Sequence, residues 1–154
     1  MEYLKADLSR KKHIVSFLMS ISDEFPIPLN KKVSINDYVE KVFEKGNIII
    51  AEENNDIAGL NMFYANDSAK KQAWISLICV AEKYRRNKVG TALLQISENI
   101  SLENGMDYLF LHVHKDNVGA IKTYERFGFV YSDSVPANAE YNVTLQKKIS
   151  RDVL

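Results

Sequence analysis

One short segment of the sequence concentrates positive charge. Residues 82–88 carry four cationic side chains and one acidic side chain, although the whole chain of 154 residues has a formal net charge of zero. Gly90 and Thr91 follow at the start of a predicted helix, where the first backbone amides lack helical partners and the helix dipole is positive. This arrangement predicts a cradle for a phosphate or pyrophosphate. A solvated charge run on an exposed loop is the alternative.

Two histidines and one cysteine are the other residues that can do chemistry. His112 and His114 are two apart on a predicted strand and share a face, which Asp116 joins if the strand continues. His-x-His-x-Asp can bind zinc, but no further Cys or His cluster completes such a site, so we expect no metal. A surface pair or a cleft lining is favoured. Cys79, the single cysteine, is expected to be a buried, unreactive thiol rather than an acyl-carrying nucleophile.

The elements that must position these residues alternate between helical and strand periodicity. The predicted order is βααβββαβαββ, which indicates a mixed α/β fold in a single domain, residues 1–154. Strands are expected at residues 3–6, 48–51, 57–64, 73–80, 108–114, 129–131 and 140–148. Ser9 and Ser34 are the expected caps of the first two helices, which end at residues 25–28 and at Gly46; two more helices are expected at residues 88–103 and 118–127.

Composition excludes several classes of protein. The longest unbroken apolar run, residues 77–81, is far shorter than the ~18–20 residues of a membrane helix. The N-terminus lacks the basic region and apolar stretch of a secretory signal, and zero net charge argues against a general nucleic-acid binder. We therefore expect a cytoplasmic protein without membrane or nucleic-acid partners, and the single cysteine agrees with a reducing compartment.

Two segments resemble signature motifs of the GCN5-related N-acetyltransferases (GNAT family). Residues 84–94 resemble the acetyl-CoA loop, whose pattern is Gln/Arg-x-x-Gly-x-Gly/Ala: Arg85 takes the first position, Gly90 the last, and Lys88 replaces the middle glycine. The loop can form with a lysine here if Lys88 adopts ordinary helical dihedrals, since glycine is required only where φ is positive or a side chain would clash, and Lys88 either weakens one phosphate contact or adds charge there. Residues 111–129 are similar to the family's strand-helix-strand signature in the spacing of Asn117, Ala120, Tyr124 and Gly128-Phe129.

The resemblance implies a fold, a co-substrate and roles for individual residues. The N-terminal half should form an antiparallel meander, and two parallel central strands, ending near Val80 and His114, should splay apart around acetyl-CoA. Tyr124 should donate a proton to the CoA thiolate, Asn117 should hydrogen-bond the pantetheine arm, and Ala120 should leave room for it. The backbone of Ile78, Cys79 and Val80 should meet the pantetheine arm and thioester. The pyrophosphate should be held, chiefly by backbone N–H groups, by Arg85, Arg86, Asn87, Lys88, Val89, Gly90 and Thr91.

The implied reaction is acetyl transfer from acetyl-CoA to a primary amine of a small molecule or polypeptide, by direct attack with both substrates bound. Residues 74–80 contain no acid, so the general base stays open between a water chain, His112, His114 and Glu82. Loops at residues 25–28 and 134–138 should select the acceptor, and Asp23 and Glu24 are either exposed or attract a cationic amine.

Three alternatives remain at this stage, and the oligomeric state, monomer or homodimer, is open. The first is a non-catalytic CoA-binding or regulatory domain, and the second is an acyltransferase that uses a longer acyl-CoA. The third, a phosphopeptide- or nucleic-acid-binding module, rests on the basic segment alone.

Overall fold

A single seven-stranded sheet with helices on both faces forms the protein. The computed structural model describes residues 1–150, so the last four residues of the predicted domain lie outside the described part. The strands are β1 (Glu2–Lys5), β2 (Asn47–Glu53), β3 (Asp56–Asp67), β4 (Gln72–Val80), β5 (Tyr108–His114), β6 (Val130–Tyr131) and β7 (Asn142–Lys148). The α-helices are α1 (Lys11–Ile21), α2 (Leu29–Lys32), α3 (Ile35–Lys45), α4 (Val89–Glu103) and α5 (Val118–Phe127).

The predicted order of elements is confirmed, with one addition and two corrections at helix starts. The four-residue helix α2 was not predicted, because one turn is too short to show helical periodicity. Ser9 was wrongly expected as a cap: the side chain of Asp7 caps the short 3₁₀ turn before α1 and accepts a hydrogen bond from the amide of Ser9 at 3.0 Å. Ser34 holds the N-cap position of α3 but makes no side-chain cap bond.

The first four strands form the expected antiparallel meander. β1 pairs with β2, β2 with β3 and β3 with β4. Asn54 and Asn55 both have positive φ, 53° and 67°, as the tight turn between β2 and β3 requires. Asparagine tolerates this left-handed conformation better than most residues do, which explains why the dipeptide marks the hairpin.

Two apolar clusters fill the space between the sheet and its helices. On one face, Ile14 and Leu18 of α1 and Val39 of α3 pack on alternate residues of β2 and β3. On the other face, Leu93 and Leu94 of α4 pack with α5 residues on β2 to β5 and β7. Because these helices cover both faces over the sheet centre, the two central strands are held rigidly at their paired ends. Within residues 1–150, none of the helices is both long enough and apolar enough to cross a membrane.

The predicted splay lies between β4 and β5. These strands run parallel and pair from Gln72 opposite Tyr108 as far as Ile75 opposite Leu111, where the ladder stops. Pairing with β3 shifts at the same point, since Met62 faces Leu77 while Phe63 faces Ile75. Ser76 is therefore an extra residue in β4, and such a bulge bends its strand and increases the local twist. The result is a gap that opens towards the C-terminal ends of both strands.

Candidate functional site

The basic segment crosses the mouth of this gap as a loop anchored at both ends. Tyr84 closes a short 3₁₀ turn after β4, Val89 begins α4, and both side chains are buried in the core. Between them, Arg85, Arg86, Asn87 and Lys88 are all exposed. Buried apolar residues thus fix the path of the loop while its polar atoms stay accessible to a ligand.

Lys88 does not meet the condition of ordinary helical dihedrals. Its φ and ψ are 62° and 19°, in the left-handed region, and Arg86 is also left-handed with φ of 67°. A left-handed conformation costs a non-glycine residue about 1–2 kcal/mol. The loop therefore keeps the backbone path that a glycine would follow, and a lysine occupies it with strain. Lys88 directly precedes the right-handed helix α4, and a left-handed residue beside a right-handed turn is an arrangement that binds anions through neighbouring amides.

The N-terminus of α4 supplies the backbone donors of this concavity. The first helical bond runs from the amide of Ala92 to the carbonyl of Lys88 at 3.0 Å, so the amides of Val89, Gly90 and Thr91 precede the helical ladder. A Cβ placed on Gly90 would have only one neighbour within 4 Å, the Cγ2 atom of Val80 at 3.7 Å. A Cβ at Gly90 would therefore meet no tight protein contact, so the small glycine leaves this side of the first helical turn open.

The side chain of Arg85 is engaged in contacts within the protein. Its Nε donates to the carbonyl of Val80 at 3.0 Å, and its guanidinium pairs with Glu24 at 2.7 Å. Arg85 thus ties the loop to the end of β4 and to the chain segment that follows α1. Lys83 lies over the ring of Tyr84 at 5.0 Å. Among the described residues, Lys83, Arg86 and Lys88 of the segment have no ion-pair partner, and of these Arg86 and Lys88 also have no ring contact, so they remain available to phosphates.

The free edge of β4 presents backbone groups of alternate residues to the gap. The amide of Ala81 bonds the carbonyl of Ala58 at 2.7 Å, which makes Gly59–Val80 a non-hydrogen-bonded pair of the antiparallel ladder. Alternation then directs the amide and carbonyl of Ile78 and Val80 towards the gap, and those of Cys79 towards β3. The backbone role predicted for Cys79 therefore does not agree with the ladder, whereas the geometry of Ile78 and Val80 suits it.

The thiol of Cys79 is poorly suited to act as a nucleophile. Its side chain packs against the α1–α3 face of the core, and burial raises the pKa of the thiol to about 12. The reactive form of cysteine is the thiolate. At neutral pH this side chain is a protonated thiol, but Cys79 is only partly buried, whereas the sequence predicted a buried thiol.

The start of α5 borders the gap from the other side. Asn117 is the N-cap of this helix, and its Oδ1 accepts from the amide of Ala120 at 3.4 Å, which leaves the side-chain NH₂ group free to donate. One turn after Ala120, Tyr124 packs edge-on against Phe129, with 5.9 Å between ring centroids. Burial raises the pKa of the Tyr124 phenol far above its usual value, so the hydroxyl is protonated throughout the usable pH range.

Tyr124 and Asn117 also line a cleft of about 330 Å³ that continues through the gap to the other face of the sheet. Its far wall comes from the segment after α1 and from α2, and its floor from β4 and β5. Trp74 stacks on Phe110 at 4.9 Å and lies 5.0 Å from His112 between ring centroids. The other residues of this wall and rim include Phe25, Ile27, Leu29, Lys32, Asn138 and Tyr141.

Of the three side chains that are candidates for the general base, His112 has the most suitable surroundings. It lies in the cleft just beyond the last β4–β5 pair, and its Nδ1 is 2.9 Å from the hydroxyl of the buried Thr144. Burial lowers the pKa of His112 below its ordinary value, so the ring is neutral at pH 7. If Nδ1 donates to Thr144, Nε2 is the unprotonated nitrogen that can accept a proton.

The other candidate bases are placed less favourably. His114 lines the cleft, but its Nδ1 accepts from the amide of Asp116 at 3.1 Å and its ring stacks on Tyr141 at 5.2 Å. Glu82 is exposed in the 3₁₀ turn and does not line the cleft. Within residues 1–150 no group of three or more His, Cys, Asp and Glu side chains is arranged to hold a metal ion.

Sequence reasoning missed several residues of the cleft because they come from separate segments. Trp74, Lys32 and Thr144 were not singled out, although they lie on β4, on α2 and on β7. Strand alternation places Thr144 on the polar side of β7, the one signal that pointed to it. Its contact with His112 follows from the pairing of β5 with β7, which puts the two residues opposite one another.

Comparison with known proteins agrees with this geometry. The profile of the acetyltransferase (GNAT) family matches residues 14–129. N-alpha-acetyltransferase 50 of Danio rerio is 32% identical over 109 residues, which cover 68% of this chain and 61% of that protein. The aligned part covers between 16% and 61% of the length of the curated relatives, so the chain spans only part of each of them.

Solved structures show the same fold at low sequence identity. An acetyltransferase of the GNAT family from Staphylococcus aureus superposes with a TM-score of 0.81 at 20% identity, over 97% of this chain and 99% of that one. An aminoglycoside 6'-N-acetyltransferase complexed with coenzyme A superposes with a TM-score of 0.80 at 13% identity, over 99% of each chain.

Proposed function

Because this chain belongs to the acetyltransferase (GNAT) family, we propose that it transfers the acetyl group of acetyl-CoA to a primary amine while both substrates are bound. One observation carries the proposal: Tyr124 and His112 line the same continuous cleft, which opens where β4 and β5 separate. A donor group for the thiol and an acceptor for the proton of the amine are thus placed in one cleft, behind a loop suited to a pyrophosphate.

The cofactor side follows from the backbone. The amides of Val89, Gly90 and Thr91, with the side chains of Arg86 and Lys88, would hold the pyrophosphate. The gap-facing backbone groups of Ile78 and Val80 and the free NH₂ group of Asn117 would hold the pantetheine arm. Acetyl-CoA, when bound, supplies an activated acetyl thioester.

The acceptor must give up protons during the reaction. A free alkylamine resembles lysine, with a pKa of about 10.4, and it attacks a carbonyl carbon only as the neutral amine. As its bond to that carbon forms, the nitrogen becomes acidic and Nε2 of His112 accepts the proton. The lowered pKa of His112 keeps the ring in the neutral, accepting form at pH 7.

Tyr124 acts on the departing sulfur. When the carbon–sulfur bond breaks, the hydroxyl of Tyr124 donates to the thiolate, and the proton regained from solvent restores the phenol. Because burial raises the pKa of this phenol, Tyr124 is protonated at the start of each turnover and readily recovers its proton afterwards. The products are the acetylated amine and CoA with a free thiol.

A screen of primary amines with acetyl-CoA, followed by the release of free thiol, tests the proposal. We expect CoA to bind in calorimetry and at least one amine to release thiol above the rate of spontaneous hydrolysis. CoA binding without amine-dependent release in a panel of small amines and peptides with free N-termini would favour the non-catalytic CoA-binding alternative. An absence of CoA binding at millimolar ligand would contradict the cofactor assignment itself.

A further inference from the structure

The charges of the acceptor part of the cleft select among amines. The part that holds the acceptor is walled by Phe25, Ile27, Leu29, Trp74 and Tyr141, all apolar or aromatic side chains. None of the residues that line the cleft, taken over the described part of the chain, is an Asp or a Glu. The one lining residue with a fixed charge is Lys32, at the exposed rim.

The carboxylates near the cleft do not add negative charge to its lining. Glu24 directly precedes the cleft wall, but it pairs with Arg85 at 2.7 Å. Asp116 is 76% exposed and lies 3.8 Å from Nδ1 of His114, outside the lining. Asp23 and Glu140, which neighbour the lining in sequence, are exposed and do not line it either. Asp23 and Glu24 therefore do not form the attractive site for a cationic amine that the sequence left open.

A lining with one lysine and no carboxylate disfavours acceptors that carry more than one amine. A second ammonium group would enter a cleft that offers no carboxylate and would meet the like charge of Lys32. By contrast, an apolar or aromatic group gains contact with the cleft walls, and a carboxylate gains a cationic partner at the rim. The repulsion between Lys32 and a second ammonium group contributes to selectivity as much as the favourable contacts of an apolar group or a carboxylate do.

We propose that the acceptor is a monoamine with an apolar or aromatic body and a neutral or anionic far end, and that Lys32 is the specificity-determining residue that excludes polyamines. This inference rests on the proposed function. It names the chemical class of the acceptor, not its source.

Three compounds with one skeleton test the charge rule. They are 2-phenylethylamine, its para-carboxylate, 4-(2-aminoethyl)benzoate, and its para-aminomethyl analogue, 4-(2-aminoethyl)benzylamine. Trp74 is the single tryptophan of the chain and lies in the cleft, so its fluorescence reports binding directly, without any need for turnover. Titrations are made on the wild-type protein in the presence of CoA, at low salt.

We expect the carboxylate to bind about tenfold more tightly than the aminomethyl compound, with 2-phenylethylamine between them, and the difference to shrink as salt is added. Lys32→Glu should reverse the order. Lys31→Glu is the matched control: Lys31 is adjacent on the same short helix and exposed but does not line the cleft, so this variant should keep the wild-type order.

The outcomes separate the inference from the proposed function. Equal binding of all three compounds, tighter binding of the aminomethyl compound, or no binding by any of them would overturn the inference. The same holds if Lys32→Glu and Lys31→Glu behave alike. If the expected order appears but no bound amine is acetylated in the thiol assay, the charge rule stands and the proposed catalysis fails.

Discussion

The two sides of the β4–β5 gap are built in different ways. The cofactor side is one continuous segment, from the end of β4 to the first turn of α4, and it offers mainly backbone amides. The acceptor side is assembled from side chains of β4, β5, α2, the segment after α1 and the segment before β7. One continuous segment is enough to bind a diphosphate, whose chemical structure is always the same. Acceptor amines differ in structure, and side chains from separate segments can be substituted independently of one another to fit them.

The comparison also separates two kinds of tolerance to substitution. Backbone donors survive a change of side chain as long as the path of the chain is kept, and Lys88 shows this by taking a left-handed conformation in place of glycine. Side-chain groups such as the hydroxyl of Tyr124 or the ring of His112 have no such substitute. We therefore expect larger losses from single substitutions in the cleft than from those in the loop.

Removal of the proposed base should have the largest effect. His112→Gln is expected to lower kcat/KM about a hundredfold at pH 7, because general base catalysis is lost. In the wild type, kcat/KM should fall towards low pH as His112 becomes protonated. Because the pKa of His112 is lowered, this fall should begin below the ordinary pKa of a histidine. The fall, which is the acid limb of the pH profile, should be absent in His112→Gln.

His114→Gln is the control for that experiment, since it changes the neighbouring histidine of the same cleft. It should keep the acid limb and most of the rate. If His114→Gln instead removes the limb, the roles of the two histidines are exchanged.

Tyr124→Phe should have a smaller effect, about ten- to a hundredfold on kcat. The thiol of CoA resembles cysteine, with a pKa near 8.5, so the thiolate leaves even without full proton transfer. The ring contact with Phe129 is retained, and calorimetry should show an unchanged Kd for CoA. An unchanged kcat would remove Tyr124 from the mechanism.

Gly90→Ala tests the backbone side of the comparison. The new Cβ meets no close protein atom, so the fold should be kept, but it enters the space assigned to the phosphates and should raise the Kd for CoA about tenfold, a ratio worth about 1.4 kcal/mol. Gly119→Ala is the matched control, because Gly119 also lies in the first turn of a helix with open space around it. The control should leave the Kd unchanged, and equal effects of both variants would argue against the cradle.

Lys88→Gly should reveal the strain stored in the loop. Glycine adopts the observed left-handed conformation without the penalty, so the free energy of unfolding should rise by about 1 kcal/mol in denaturant titrations. The loss of charge should weaken CoA binding a few-fold. Lys88→Ala loses the same charge but retains the strain, so it should weaken CoA binding equally without the gain in stability.

The smallest effect is expected at the contact that joins the two sides. Glu24→Gln breaks an exposed ion pair with Arg85, and such pairs contribute about 0.2–1 kcal/mol. The Kd for CoA and the KM for the acceptor should each rise about twofold, since Glu24 adjoins the acceptor wall and Arg85 the cofactor loop. Asp23→Asn, a change of an exposed neighbour, should alter neither value, and an effect on one side alone would show that the two sides are independent.

The sequence by itself determined the order of the elements. Apolar periodicity in α4 and strand alternation in β7 depend on residues close together in the chain, so their pattern predicted them correctly. The asparagine pair between β2 and β3 is likewise a local signal, because both residues adopt the left-handed conformation that their turn requires. The helix α2 and the cap by Asp7 are also local features. Four residues are too few to show helical periodicity, and Asp7 and Ser9 are both residue types that cap helices, so the sequence does not distinguish them.

Only the tertiary structure decided the backbone of Lys88, the partners of Arg85 and the composition of the acceptor cleft. Lys88 is left-handed because Tyr84 and Val89 are both buried and fix the ends of its loop. Arg85 meets Glu24 across 61 residues of sequence, and Thr144 meets His112 across 32, which no local pattern encodes. The direction of each backbone group on β4 depends on the ladder with β3 and on the bulge at Ser76. Side chains from distant segments become neighbours only when the sheet has formed, because strand pairing and helix packing set those distances.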